Sequence, residues 1–258
     1  MSRGVRKGRD LNGWLVMYKP AGITSARAVA MVKRITQAAK VGHGGTLDPF
    51  SEGLLPMALG RATKKLTQVL GGDKSYRCWI RFGAETDSGD PTGQVTAEGG
   101  PIPELQALEA ALLHFVGTQQ QVPPAHSAIH VNGVRAYTLA RQGESVELPA
   151  RTVVIHALRL ESYSDGVAEV SVHCGKGTYM RALARDLGRH LGSLAHLQRL
   201  MRTATLGFTL EEGITLEQLS QAVAEGRLDM FLLPVDRMLD DIPALRPQAD
   251  CVGSPCSP

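Results

Sequence analysis

Apolar residues recur along this chain with two different periods, and the changes of period mark its elements. Gly13–Tyr18 (GWLVMY) reads as a short strand closed by the turn sequence Lys19-Pro20-Ala21-Gly22. Thr24 or Ser25 then stands where a helix cap is needed, and Ala28, Val29, Val32, Ile35 and Ala39 follow at helical spacing. Leu54–Leu59 is a buried apolar segment and Ala62–Leu70 a short basic helix. Lys74–Ala84 alternates in the strand manner, with Tyr76, Cys78, Ile80 and Phe82 on one side and Arg77, Trp79 and Arg81 on the other. Thr86–Gly93 is a turn, Pro103–Phe115 an amphipathic helix, and Gly117–Val134 has no firm period and is expected as an extended loop. Ala136–Gln142 is expected as a short helix. Thr152–Tyr163 and Val167–His173 are two strands joined by Ser164-Asp165-Gly166. A helix with Met180, Leu183, Ala184, Leu187 and Leu191 on its inner face follows Gly175-Lys176-Gly177. His196–Phe208 reads as strand and Ile214–Ala224 as helix.

Strands and helices mix without regular alternation and without an internal repeat. That predicts an α+β fold on a mixed, largely antiparallel sheet. The pattern fades after about residue 240, and Asp250–Pro258 has the composition of a disordered end. Composition narrows the class further. Hydrophobic residues make up 43% of 258, the range of a globular protein, and the apolar runs fall well short of a membrane span. The four cysteines (Cys78, Cys174, Cys251, Cys256) are scattered without a CxxC, which predicts reduced thiols and a cytoplasmic setting.

A net charge of +3 conceals a strong asymmetry. Residues 1–40 carry nine Lys or Arg against Asp10, and residues 61–81 carry six against Asp73, whereas residues 203–258 carry nine acids against three Arg. A basic front of this kind suits a polyanion such as nucleic acid, and it equally suits an ordinary solvated helix surface.

The densest chemistry lies in VGHGGTLDPFSEGLLP, Val41 to Pro56. Gly42, Gly44 and Gly45 permit sharp turns or close backbone approach beside His43. Pro49 biases Asp48 towards an extended conformation, so the carboxylate is held with few choices of direction. Two readings fit: a positioned reactive carboxylate, or a tight turn in which Asp48 bonds neighbouring amides. His43 has no second ligand at metal spacing, and His126 and His130, four apart in a proline-bearing stretch, read as surface or RNA contacts.

A GGT-aromatic-DP turn also occurs in nucleotidyltransferases, but the phosphate-binding histidines of that family are missing from Phe50–Pro56. From about Asp10 to Asp240 the chain instead resembles the TruB-type tRNA pseudouridine synthases. The resemblance is carried by GWLVMYKPAGITS (Gly13–Ser25), the Asp48 loop, KSYRCWIRFGAETDSGDPTG (Lys74–Gly93), HSAIHVNGVRAYTLARQG (His126–Gly143) and CGKGTYMRALARDLG (Cys174–Gly188). It implies the α+β pseudouridine-synthase core around a central cleft, and isomerisation of one T-loop uridine (position 55 of tRNA). The domain organisation expected is one catalytic domain over 1–240, with an RNA-closing insertion at about 117–142. Residues 241–258 are expected as a short tail in place of the family's C-terminal PUA-type module.

The resemblance further implies that Asp48 is the nucleophile and Arg181 its guanidinium partner. Tyr76 would stack on the base, with proton abstraction at C5 as a further role. His43 would fill the space left by a flipped base, and Leu200 would line the uracil pocket. Tyr179, Lys19 and Lys64 complete the expected substrate contacts, with Lys19 and Pro20 also bracing the Asp48 loop; Lys64, Lys65, the N-terminal Arg3 and Arg6, and Arg185 are candidates for phosphate contact, for which an ordinary solvated surface is the alternative reading. The partner expected is the T-arm stem-loop of tRNA, and the protein is expected as a monomer. No cofactor or metal is implied, since the reaction has no redox change. A second reading, a tRNA-folding helper without essential catalysis, separates from the first at Asp48.

Overall fold

The computed structural model describes residues 8–127, 129–131, 133–142, 148–205 and 207–237. The expectations for the N-terminal Arg3 and Arg6, for His130's side chain, for Cys251 and Cys256, and for the tail fall outside what is described. In chain order the elements are β1 (Gly13–Lys19), α1 (Ser25–Thr36), β2 (Val41–His43), β3 (Glu52–Leu59), a 3-10 segment (Gly60–Lys65), α2 (Leu66–Gly71), β4 (Lys74–Phe82), β5 (Ala84–Thr86) and β6 (Val95–Glu98). They continue with α3 (Leu105–His114), β7 (Gly117–Gln121), β8 (His130–Val131), β9 (Val134–Arg135), α4 (Ala136–Arg141), β10 (Arg151–Ser164) and β11 (Val167–Cys174). The last are α5 (Met180–His190), β12 (Ala195–Thr205), β13 (Phe208–Thr209) and α6 (Leu216–Ala224).

One nine-stranded sheet organises the molecule, in the order β1-β3-β12-β4-β11-β10-β7, with β2 on β3 and β13 on β12. All its pairings are antiparallel except β12 with β3, so the sheet is mixed and largely antiparallel, the α+β architecture the pattern predicts. The β10–β11 hairpin turns on Asp165 (φ 50°) and Gly166 (φ 70°), a left-handed pair that matches strand twist. Cys78, Ile80 and Phe82 of β4 pack with α3 and α5 through Leu108, Leu112, Leu183 and Leu187. Leu15 and Met17 of β1 pack instead with α1 and α6, through Val32 and Leu219.

Four boundaries differ from expectation: the strand expected over His196–Phe208 ends at Thr205, with Phe208 folded back on it in β13, and three others follow. Gly117–Gln121 (GTQQQ) is a strand, pairing β10 from Arg151↔Gln121 to Ile155↔Gly117. Its residues carry no apolar alternation because it lies at the sheet edge and is held by backbone pairing. The basic helix predicted over Ala62–Leu70 is a 3-10 turn followed by a short α2. Helix α1 stops at Thr36, whose hydroxyl donates back to Val32 O at 2.8 Å, with Gln37 left-handed beyond it. Ala39 is therefore outside the helix.

Candidate active site

The Asp48 loop is fixed from three sides. Ser25, the first residue of α1, donates through Oγ to Leu47 O (3.0 Å) and accepts from Leu47 N (2.9 Å). Pro49 O accepts from Gly22 N at 2.8 Å. Asp48 O accepts from both the backbone N and the hydroxyl of Ser51, at 3.1 and 2.8 Å. Below the loop, the fully buried Lys19 donates from Nζ to Pro20 O (2.9 Å), Ile23 O (2.8 Å) and Ser51 O (2.6 Å). Three donors thus meet three carbonyls, and Lys19 is a brace of the loop with no donor left for a substrate. Burial pushes its pKa down to about 8 against the opposing pull of Asp48 and Glu52. Lys19→Met should orphan those carbonyls and destabilise the protein by about 3 kcal/mol, read from urea unfolding. An unchanged midpoint would remove the bracing role.

With the loop's backbone so committed, the Asp48 side chain turns to Arg181. Oδ2 lies 3.0 Å from Arg181 Nε, and the carboxylate is about one-third exposed while the guanidinium is buried. Arg181 sits in the first turn of α5. Its other nitrogens donate to Ser88 O (2.9 Å) and His126 O (2.8 Å), and Nη1 stands 3.7 Å from the buried Asp90 carboxylate. One planar cation therefore ties the Asp48 loop to the β5–β6 turn and to the segment after β7, a geometry a lysine cannot reproduce. Asp90 is itself fixed, accepting through Oδ1 from Ser88 Oγ (2.8 Å), Thr92 N (3.0 Å) and Thr92 Oγ1 (2.5 Å). Burial raises the Asp48 pKa above the ordinary aspartate value; Arg181 opposes that, and Asp90 adds to it.

Tyr76 stands on β4 opposite Arg202 of β12, and Leu200 lies opposite Cys78 on the same pair of strands. Tyr76 packs against both the β4–α5 cluster and the β1–α1 cluster; Leu200 belongs to the first, and Phe50, two residues past Asp48, packs on it too. The Tyr76 phenol is pushed up to about 12 by burial, with Arg202 pulling the other way through charge and a hydrogen bond. Arg202 is fully buried. It donates from Nε to Leu54 O (2.8 Å) and from Nη2 to Gly45 O (3.2 Å), so it joins the glycine loop to β3 and to the Tyr76 hydroxyl. Gly45 has φ 120°, and a Cβ there would stand 3.3 Å from Arg202 Nη1. Tyr179 caps α5, its backbone clamped by Gln121 (N to Oε1 2.8 Å, O from Nε2 3.2 Å). Burial raises its pKa too, while Arg151 and Arg181 lower it and Asp48 raises it, so the phenol lies in the field of the Asp48–Arg181 pair.

The structure thus brings Asp48 and Arg181 into contact, with Tyr179 and Lys19 in their electrostatic reach, and places Tyr76 and Leu200 on adjoining strands. His43 ends β2, its Nδ1 buried without a hydrogen bond of normal geometry and its pKa lowered by burial, so its imidazole is neutral at physiological pH. Among the described contacts neither His43 nor the exposed Lys64 touches Asp48. Arg185 is engaged with Asp186 and Val122 O. Sequence reasoning missed Asp90 and Arg202. Asp90-Pro91 repeats the Asp48-Pro49 pairing of a carboxylate with a following proline, a signal that was there to read. Arg202 gave none, because an arginine in an alternating strand reads as solvated.

Comparison with known proteins follows the same lines. Residues 33–180 match the model described as TruB family pseudouridylate synthase (N terminal domain), and residues 181–240 match tRNA pseudouridylate synthase B C-terminal domain. The boundary between the two falls inside α5, so they divide a single sheet. The tRNA pseudouridine synthase B of Rhodopseudomonas palustris is 47% identical over 246 residues, covering 93% of this chain and 67% of that protein. Its namesake from Bradyrhizobium diazoefficiens is 48% identical, covering 93% and 71%. The fold is also that of a chain in the crystal structure of a Cbf5-Nop10-Gar1 complex, at TM-score 0.69 and 27% identity, over 86% of this chain and 60% of that one. Matched over more than half its length by the family's own model, the chain belongs to the TruB family of pseudouridylate synthases.

Proposed function

We infer that this protein isomerises uridine to pseudouridine in tRNA, without a cofactor, at the T-loop uridine of position 55. The observation that carries the reading is the partly buried Asp48 carboxylate held 3.0 Å from a buried guanidinium, on a loop whose backbone is tied at Leu47, Asp48, Pro49 and Ser51. The reaction breaks the N1–C1′ bond, turns the uracil and joins C5 to C1′, after which C5 loses its proton and N1 carries one, so the product is an isomer. Every route through those bonds uses an ionised carboxylate at the junction of base and sugar. Arg181 keeps Asp48 ionised when an aromatic base displaces its water.

The remaining roles follow from placement. Tyr76 stacks on the extruded base. Its phenol is proton-bearing at neutral pH, and the Arg202 cation beside it stabilises negative charge there whenever C5 gives up its proton. Leu200 forms the apolar wall and Tyr179 closes the site next to the Asp48–Arg181 pair. Flipping the uridine costs a few kcal/mol; the neutral His43 ring takes the vacated stack, which returns ~1–3 kcal/mol. Lys64 serves the phosphate backbone from the surface, and the segment that follows β7, to about residue 142, closes over the T-arm; residues 117–121, expected as part of that insertion, are fixed in the sheet. We place this activity in a monomer whose catalytic unit spans 1–240. The cytoplasm suits its free, buried Cys78 and Cys174.

Tritium release from a T-arm minihelix labelled at uridine C5 tests the reading; absence of release by the wild-type protein sinks it. Affinity for tRNA should also fall steeply with salt, in a log–log slope set by the number of phosphates neutralised. A flat salt response would remove the basic face from the argument.

A further inference from the structure

Asp73, His156 and His173 form a cluster the isomerisation does not use. Asp73 immediately precedes β4, His156 lies in β10 and His173 in β11. One ligand-type atom from each lies within 4.8 Å of the other two. Asp73 Oδ2 is 3.2 Å from His156 Nε2 and 4.0 Å from His173 Nε2. The backbone aims these groups. The pairing of β10 with β11 slips between Ile155 and Ala157, so His156 is the extra residue of a bulge, a device that redirects a side chain. His173 pairs with Ser75 across β11 and β4, and Ser75 Oγ lies 3.1 Å from His173 Nδ1. An outer hydrogen bond on one ring nitrogen is how proteins orient the other towards a metal. By strand alternation, His173 and Ser75 project from the face opposite Val172 and Tyr76, so the cluster is separate from the Asp48 site.

An ion pair accounts for only one of the two histidines. His156 Nε2 is near enough to Asp73 to donate to it, but His173 Nε2 is beyond hydrogen-bond reach. The two imidazoles stand with centroids 5.0 Å apart, too close for both to carry charge comfortably. In the tautomer that carries its proton on Nδ1, shared with Ser75 Oγ, His173 turns its Nε2 lone pair towards the Asp73 carboxylate, an arrangement that a cation between them satisfies.

We propose that Asp73, His156 and His173 bind one divalent transition-metal cation, zinc being the best match to two imidazole nitrogens and one carboxylate oxygen. Small side-chain movements close the three groups around the ion, and a water completes the tetrahedron. The ion clasps the β10 bulge to the turn before β4 and to the end of β11. Asp73 Oδ1 is 3.8 Å from the Cβ position of Gly175, so the clasp abuts Gly175-Lys176-Gly177, the approach to the helix that bears Arg181. Its role is structural. Sequence spacing could not show it, because the ligands come from three strands' worth of chain.

Metal-stripped full-length protein should take up one equivalent of zinc chloride at neutral pH by calorimetry, and its Tm should rise with free zinc. Cobalt(II) should give the visible absorption of a tetrahedral site. Asp73→Asn and His156→Ala should each lose the equivalent while melting like the wild type in chelator; Ser75→Ala should weaken binding roughly tenfold. His114→Ala is the control: the stacked His114–His190 pair (4.6 Å) offers imidazoles elsewhere, and this variant should keep full binding. Failure of the wild type to bind zinc, or an undiminished equivalent in both Asp73→Asn and His156→Ala, overturns the site. The isomerase reading is independent of either result.

Discussion

Asp48→Asn should lower tritium release from C5-labelled T-arm RNA by roughly ten-thousand-fold or more, the scale seen when a nucleophile is removed, while tRNA binding is largely kept. The amide has the shape of the carboxylate and not its charge or nucleophilicity. Wild-type release by this variant would end the assignment. The same substitution should leave stability intact. The folded-state pKa of Asp48 is raised, chiefly by burial. A carboxylate with a raised folded pKa contributes stability that is fully present below its unfolded pKa and is lost as pH rises through the folded one. At neutral pH the ionised Asp48 is therefore a cost of the fold, and Asp48→Asn should melt no lower than the wild type. Activity carries the opposite sign: it should fall as pH drops through that raised pKa, in a limb lying above the ordinary aspartate range.

Arg181→Met should have the second-largest effect, reducing kcat by on the order of 10²–10³-fold. The cation that opposes the upward push on Asp48 is lost, so the acid limb of the rate profile should move to higher pH. The variant also strands the buried Asp90 and the carbonyls of Ser88 and His126, and should lose about 3 kcal/mol of stability. Arg181→Lys separates the two roles. A single ammonium restores charge near Asp48 but cannot span three directions, so the pH limb should return towards wild type while stability recovers only in part. An acid limb unmoved in Arg181→Met would show that the guanidinium does not govern the ionisation of Asp48.

Much of this was written locally in the chain. Strict alternation over Lys74–Phe82 fixed the face of Tyr76, and Asp165-Gly166 fixed the register of the β10–β11 hairpin, since few residues accept its left-handed backbone. The Asp-Pro pair, the flanking glycines and the family motifs pointed to Asp48, Tyr76, Arg181 and Leu200 from the chain alone. Local periodicity encodes which face of an element is apolar and where it turns. It does not encode which edge the element meets. Only the tertiary structure inserted β12 between β3 and β4, parallel to one and antiparallel to the other, and so buried Arg202 between the glycine loop and Tyr76. Only the assembled sheet made a strand of the polar GTQQQ, spent all three donors of Lys19 on carbonyls so that none is left for a substrate, and set Asp90 behind Arg181. These are encounters between distant residues, decided by which backbone edges and buried polar groups remain to be satisfied once the strands have assembled.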